Sequence, residues 1–378
     1  MNEPTVVCFP FMGTSLGGAQ LSSLILIKSL PASFRPLVVA HTRGVFTEHL
    51  DALDIPYEIL PLPSVVGADR YRLALMVQVA LATPALLSYL RQQRVSLVHA
   101  NDGRTNMTWC IPTHLSSRPF VWHQRSHFQQ SRAVVAVARR ASALIGISRF
   151  SVEQIPPEIR AKTLIVENPF LASGPVDRQE AHAVMCREFG LQQGTKVVGF
   201  FGNMRELKRP LTFVKVIESI GKLVPEPVVG VMFGDARSPL GVSIREYVEA
   251  RDLRQRVCLA GFRFPSEKWM AGCDVMLAPA VREGFGRTLV EAMLVGTPVV
   301  ATRSGGHEEI VDDGRTGLLV PVDDVVAMSA AVVSILRDAV LAQAIRNTAL
   351  DEAARRYGVE HHTESVTSLY GRLLQPKR

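Results

Sequence analysis

Apolar residues fall along the chain in short, almost unbroken runs. Those at residues 5–11, 37–40, 57–60, 97–100, 120–123 and 144–147 read as buried strands, and the segments between them, such as 19–30, read as helices. A second series of runs begins at 197–201 and continues at 228–233, 257–260, 275–278 and 299–301. Strands alternating with helices predict mostly parallel sheets covered by helices on both faces. The interruption at 171–175, which carries Gly and Pro without periodicity, reads as a hinge or linker between the two series. The expected organisation is therefore α/β, with domains at 1–168 and 169–356 and a terminal helical segment at 357–378. No close internal repeat relates the halves.

Residues 73–90 form an eighteen-residue stretch without a charge, flanked by Arg72 and Arg91. Its length would permit a short membrane span. Pro84, Gln78, Thr83 and Ser88 interrupt it, and it leads directly into a strand-like segment. A buried helix, broken near Pro84, is the expected structure.

Composition narrows the function. A chain of 378 residues with 47% hydrophobic and 20% charged content is a folded, two-domain balance. The net charge of +7 suits an acidic substrate or an anionic membrane surface. Its basic residues are scattered, with no basic-aromatic patch, so nucleic acid is not an expected partner. Five cysteines, Cys8, Cys110, Cys186, Cys258 and Cys273, include no C-x-x-C pair, which points to neither a disulfide frame nor a zinc site. The N-terminus lacks a basic region followed by an apolar signal core, and a cytoplasmic location is expected.

The chemistry concentrates in the run from Glu283 through Gly284, Gly286, Arg287 and Thr288 to Glu291. Were all of it helical, the two carboxylates would stand about 12 Å apart along the axis and roughly 80° apart around it. Gly284 and Gly286 favour irregular backbone instead, so a helix is expected to start near Arg287 or Thr288, with Glu283 in the loop and Glu291 in the first turn. Such a start, with free N–H groups and the positive end of a helix dipole, seats a phosphate or diphosphate. Two surface acids on a helix are the alternative.

With its flanks, Cys-Asp-Val-Met-Leu-Ala-Pro before and Gly-Thr-Pro-Val-Val-Ala after, this E-x7-E run resembles the signature of the retaining, nucleotide-sugar-dependent glycosyltransferases of family 4 (group 1). The similarity is densest between Val197 and Asp323. It implies the GT-B architecture, two facing Rossmann-like doubly wound domains with a cleft between them, the last helix returning to the first domain. It also implies that Glu291 holds the ribose and Glu283 the donor sugar. The turn Gly202-Asn-Met-Arg205-Glu-Leu-Lys208-Arg209 resembles the family's basic element that neutralises the donor diphosphate. Asn203 occupies the usual arginine position and Arg209 that of a glycine, so Arg205 is expected to supply the missing guanidinium beside Lys208. A solvated basic turn is the alternative.

Other family elements follow the same strand ends. The Gly17-Gly18 turn resembles the glycine-rich loop of the first domain, although a purely structural tight turn fits equally. It matches neither the dinucleotide fingerprint nor a phosphate P-loop. Asp235 resembles the residue of the small Gly-Asp turn beside the nucleotide. Asn168 lies in a segment that resembles the one closing the first domain, and Glu309 in the G-G-x-x-E element that braces a loop. His123 stands where a strand should end and is the candidate to face the transferred sugar, with Arg125 and His127 as alternatives and a surface histidine as the plain reading.

The function implied is transfer of a sugar from a nucleoside-diphosphate sugar, expected to be a UDP-sugar, to a hydroxyl of a carbohydrate, lipid-linked or other acceptor. Retention of configuration is implied by the resemblance alone. No Asp-x-Asp occurs, so neither a metal nor any other cofactor is expected. Peripheral contact with anionic membrane, at its inner face, is a further expectation. The competing readings are a nucleotide-sugar epimerase or sugar phosphorylase on the same fold, and a non-catalytic nucleotide-sugar sensor.

Overall fold

The computed structural model describes residues 3–62, 72–171, 174, 176–192 and 194–375. Of the linker expected at 171–175, all but Leu171 and Gly174 lie outside the described residues. The chain divides into two compact units. One runs to Leu171 and takes in the helix that begins at Val359; the other lies between, ending at Gly358.

The first unit is built on seven parallel strands: β1 (Thr5–Phe11), β2 (Phe34–Ala40), β3 (Glu58–Ile59), β4 (Leu97–Ala100), β5 (Phe120–Gln124), β6 (Ala143–Gly146) and β7 (Thr163–Ile165). They lie in the order β3-β2-β1-β4-β5-β6-β7. Strand order reverses between β1 and β4, and in open α/β sheets ligands gather at the carboxyl ends of the strands beside such a reversal. Continuous apolar runs make these strands because both faces are covered. Val98, Phe120 and Trp122 face one hydrophobic cluster, and Val7, Phe9, Val121 and Ile145 face the other. The last helix, Val359–Leu374, joins the second cluster through Val366, Leu369 and Tyr370.

Pro84 does not break the apolar segment: one helix, Arg72–Gln92, runs through it. The prolyl nitrogen can donate no bond to the preceding turn. Buried residues on both sides of it, Val79 and Ala82 before and Leu86 and Leu90 after, anchor the helix on the sheet and keep it whole. The helix buries one face only, since Val77 and Leu81 are exposed. Among the described residues no single helix is long and apolar enough to cross a membrane.

The second unit has six parallel strands: β8 (Lys196–Phe201), β9 (Val228–Phe233), β10 (Val257–Gly261), β11 (Val275–Ala278), β12 (Val299–Thr302) and β13 (Leu318–Val320). Their order is β10-β9-β8-β11-β12-β13, with the reversal between β8 and β11. Amphipathic helices cover it, among them Pro210–Leu223, which buries Phe213, Val214, Val216, Ile217 and Ile220.

Candidate active site

In the second unit the two strands that flank the reversal each deliver one charged group. After β8 the chain makes a basic turn through a short 3-10 helix, Glu206–Lys208. After β11 it enters the loop that carries Glu283. The backbone N–H of Val281 donates to Leu207 O at 2.8 Å and fastens one loop to the other. Lys208 Nζ then lies 2.7 Å from Glu283 Oε2, with each side chain about a quarter exposed. Burial works to raise the Glu283 carboxyl, but the Lys208 ammonium, its hydrogen bond and His307 outweigh it and hold the group below the usual carboxylate range.

Glu283 is braced from behind. Gly306 N donates to Glu283 O at 2.8 Å, and Arg282 N donates to Ser304 Oγ at 3.0 Å. Gly305 has φ +63°, and a Cβ there would stand 2.6 Å from Glu283 O. Only glycine lets the two loops approach this closely.

A helix spans Arg287–Leu294, capped by Gly286 with φ +108° and ψ +50°. Gly286 therefore supplies the left-handed residue that turns the loop into the helix, and the start at Arg287 agrees with the glycine spacing. Glu291 differs from the expectation. It is the fifth helical residue, in the second turn, because the helix begins at the earlier of the two expected positions. There it accepts from Arg287 Nη2 at 3.0 Å, the i,i+4 partner one turn back. Burial pushes the Glu291 carboxyl up, reinforced by Glu267 and opposed by Arg287 and Lys208. Thr288, half-buried, is the second residue of this helix.

His307, the first residue of the short helix His307–Ile310 that follows β12, completes the cluster and was not anticipated from sequence. It is buried against Gly286, and its Nδ1 lies 3.3 Å from Thr302 O. Burial pushes its imidazole down to about 4, so at neutral pH it is an uncharged neighbour of Glu283.

The remaining residues of the basic turn have separate roles. Arg205 is exposed. Arg209, with left-handed backbone at φ +53°, pairs with Asp323 at 3.2 Å. The stem of Lys208 passes over Gly202, 3.5 Å from where a Cβ would be. Asn203, standing where the family has arginine, accepts from Asp235 N at 3.1 Å and ties the ends of β8 and β9 together. The Asp235 carboxylate is held by Arg237 at 2.9 Å, which lowers its pKa to about 2. Glu309 lies in the short helix His307–Ile310, and its carbonyl accepts from Arg356 at 2.8 Å.

In the first unit, Gly17 caps the helix Gly18–Ser29, and Gly17 N donates to Gln20 Oε1 at 3.1 Å. This turn follows β1, on one side of the reversal. On the other side lies a buried polar cluster. His123, the fourth residue of β5, is fully buried, so the surface-histidine reading fails. Its Nδ1 lies 3.0 Å from Nε2 of His99 on β4, and its Nε2 is buried without a partner among the described residues. Arg125 donates to Asn168 Oδ1 and, at 2.9 Å, to Asn101 Oδ1. His127 Nδ1 lies 3.3 Å from Phe150 O, away from this cluster's hydrogen bonds. His99, Asn101 and His362 belong to the cluster but carry no motif; only the strand-end position of His99 and Asn101 could have drawn attention to them.

Residues 195–338 match the family model described as glycosyl transferases group 1. The chain is 27% identical over 326 residues to the lipopolysaccharide core biosynthesis mannosyltransferase LpsB of Rhizobium meliloti (strain 1021), covering 80% of this chain and 91% of that protein. It is 31% identical over 267 residues to the 2-deoxystreptamine N-acetyl-D-glucosaminyltransferase of Streptomyces fradiae, covering 67% of this chain but only 62% of that relative. In fold it is similar to Anabaena Alr3699/HepE, solved in complex with UDP and glucose, with a TM-score of 0.81, 24% identity, and coverage of 97% and 99% of the two chains. With two parallel-sheet α/β units of the GT-B kind and a charged cluster at the strand reversal of the matched segment, the chain is similar over residues 195–338 to the group 1 glycosyltransferases.

Proposed function

We propose that the protein transfers a sugar, with retention of anomeric configuration and without a metal ion, from a UDP-sugar to an acceptor hydroxyl in the assembly of a cell-envelope glycan. The observation that carries this reading is the contact of Lys208 with Glu283 beside the start of the helix at Arg287. An ammonium beside the positive end of a helix suits a diphosphate, and a half-buried carboxylate suits sugar hydroxyls. As the glycosidic bond breaks, the departing diphosphate gains negative charge, so cations fixed beforehand lower the barrier as well as bind. Lys208, with Arg205 on the same turn, is assigned that work. Glu283 is assigned to orient the sugar, Glu291 with Arg287 to hold the nucleoside, and His123 to the transferred sugar. UDP as the nucleotide is supported by the bound UDP of HepE, and the envelope setting by the kinship with LpsB.

Purified protein incubated with labelled UDP-, GDP- and ADP-sugars tests the reading. Saturable binding and slow hydrolysis are expected with a UDP-sugar, the released sugar appearing first as the donor's own anomer. Equal, non-saturating signals from all three nucleotides, or first release of the opposite anomer, would overturn it.

A further inference from the structure

The chain's excess positive charge is confined to one stretch. Residues 72–152 contain ten arginines, no lysine and a single acid, Asp102, a net charge of +9; the whole chain carries +7, so everything outside the stretch amounts to −2. The lone acid is engaged, since Asp102 caps a helix by accepting from Arg104 N at 2.9 Å and Thr105 N at 3.0 Å. The fold gathers this stretch on one side of the first sheet. Its three helices, Arg72–Gln92, Gly103–Leu115 and Arg132–Ala138, pack into the same hydrophobic cluster through Leu86, Trp109 and Val137. None of the three contains Asp or Glu, whereas on the other side Val45–Ala52 carries Glu48 and Asp51, and Val359–Leu374 carries Glu360 and Glu364.

The outer side of this layer is both apolar and cationic. Val77 and Leu81 are 50% and 73% exposed and, with exposed Ala85, recur every fourth residue as one stripe along the first helix. Leu115, at the end of the second helix, is 61% exposed. Arg91, Arg104, Arg132 and Arg140 are exposed at or just beyond the helix ends and have no acidic partner among the described residues. Arg94 and Arg139 have theirs, Glu3 and Glu158. We infer that this helical layer is a docking surface for an anionic lipid bilayer, on which the chain lies without spanning it. Aliphatic side chains enter the boundary between headgroups and acyl chains, and the arginines beside them reach lipid phosphates. A guanidinium bonds phosphate through a planar fork and is more weakly hydrated than an ammonium, which fits a basic surface built without lysine. A soluble polyanion such as nucleic acid would use the arginines but not the exposed aliphatic stripe, and the layer offers it no stacking platform, because Tyr89 and Trp109, the aromatic residues of the three helices, are buried. Charge alone pointed to an anionic surface; the packing of the three helices says which face meets it. The inference does not depend on the proposed transferase reading.

Co-sedimentation of the full chain with vesicles of phosphatidylcholine, with and without phosphatidylglycerol, tests it. Binding is expected to the anionic vesicles alone and should weaken as salt rises through the screening range. Arg91→Gln, Arg132→Gln and Arg140→Gln combined should weaken it about a hundredfold, about fivefold for each arginine. The same loss of charge from exposed positions of the second unit, Lys215→Gln, Arg245→Gln and Arg355→Gln, should weaken it less than about threefold. Leu81→Gln should weaken it about tenfold while leaving the salt dependence unchanged, since apolar burial is lost and no charge is. Every substituted side chain is exposed, so all these variants should unfold at the temperature of the unmodified chain. Equal losses from the two triple variants, equal binding to neutral vesicles, or undiminished binding of Leu81→Gln would overturn the inference. Duplex DNA that displaces the vesicles at the same salt, and binds Leu81→Gln as well as the unmodified chain, would assign the face to a soluble polyanion instead.

Discussion

Lys208 Nζ and Glu283 Oε2 lie 2.7 Å apart, each in the connection that follows one of the two strands flanking the sheet reversal of the second unit. The pair holds a carboxylate ionised where burial opposes it. Lys208→Met should therefore destabilise the protein at neutral pH by about 1–3 kcal/mol, between the values for surface and buried pairs. The folded pKa of Glu283 is depressed, so its contribution is present above its unfolded value of 4.5 and is lost as pH falls through the folded value. In the variant, burial, the largest influence, is opposed only by His307 and raises the carboxyl. The gap in unfolding free energy between the two proteins should thus be widest near pH 7 and close below about pH 4. Denaturant unfolding at several pH values measures it, and a gap independent of pH would count against the pairing.

Gly305 tests how closely the site is braced. Gly305→Ala places a methyl at φ +63° and 2.6 Å from the carbonyl of Glu283, so the loop must move. The expected cost is about 1–3 kcal/mol of stability, with a larger relative loss of turnover because a displacement near 1 Å costs about a hundredfold. Turnover unchanged in a folded variant would mean that the position of Glu283 does not govern the rate.

Acid sensitivity should begin well above the carboxylate range. Burial pushes His41 and His307 down to about 4 and His362 to about 3, and each has an unfolded value of 6.5. Folded pKa values below the unfolded one mean stability that is full above pH 6.5 and is lost as pH falls toward the folded values. His41 shows the cause directly: its Nε2 accepts from Trp109 Nε1 at 2.9 Å, which only the neutral ring can do. Unfolding temperature should decline from about pH 6.5 downward, and His41→Gln should soften the slope. A flat profile between pH 6.5 and 5 would refute the assignment.

Transfer should survive chelation. The proposed neutralisation of the leaving diphosphate by Lys208 and Arg205 requires no divalent ion. Activity should change less than about twofold in EDTA. Loss of activity restored by magnesium or manganese would show that these cations are insufficient.

Much of this was legible because both sheets are buried on two faces. Strands such as β1, β9 and β11 announce themselves as apolar runs, and Gly286 marks the helix start with a backbone need that only glycine meets easily. Two edge strands, β7 and β13, were missed. Each has three residues, and the Leu318–Val320 run sits among turn glycines that dominate the local pattern. Arg287 and Glu291 stand at helical i,i+4 spacing, yet each was read as a ligand for the donor rather than as a partner of the other. The buried histidine cluster was beyond reach, because His99 and His123 meet only through adjacent strands and Tyr370, a partner of His99, arrives from 271 residues away. No local pattern encodes a contact made by sheet order.

The two acids should fail differently. Glu291, half-buried in the second turn and bonded to Arg287, is assigned to the nucleoside. Glu291→Gln keeps its size but weakens a charge-assisted bond to ribose and loosens Arg287, so UDP affinity should fall by about 1.5–3 kcal/mol, and transfer with it. Glu283 is assigned to the sugar, and in the absence of donor it occupies Lys208. Glu283→Gln removes the carboxylate that competes with the diphosphate for that ammonium, so free UDP should bind as well as before or more tightly. Turnover should nevertheless collapse, since the sugar is no longer held in line for reaction. Calorimetry with UDP and turnover of a UDP-sugar, run on both variants, decide it: equal losses of UDP affinity would mean that the helix start is not divided between nucleoside and sugar as assigned.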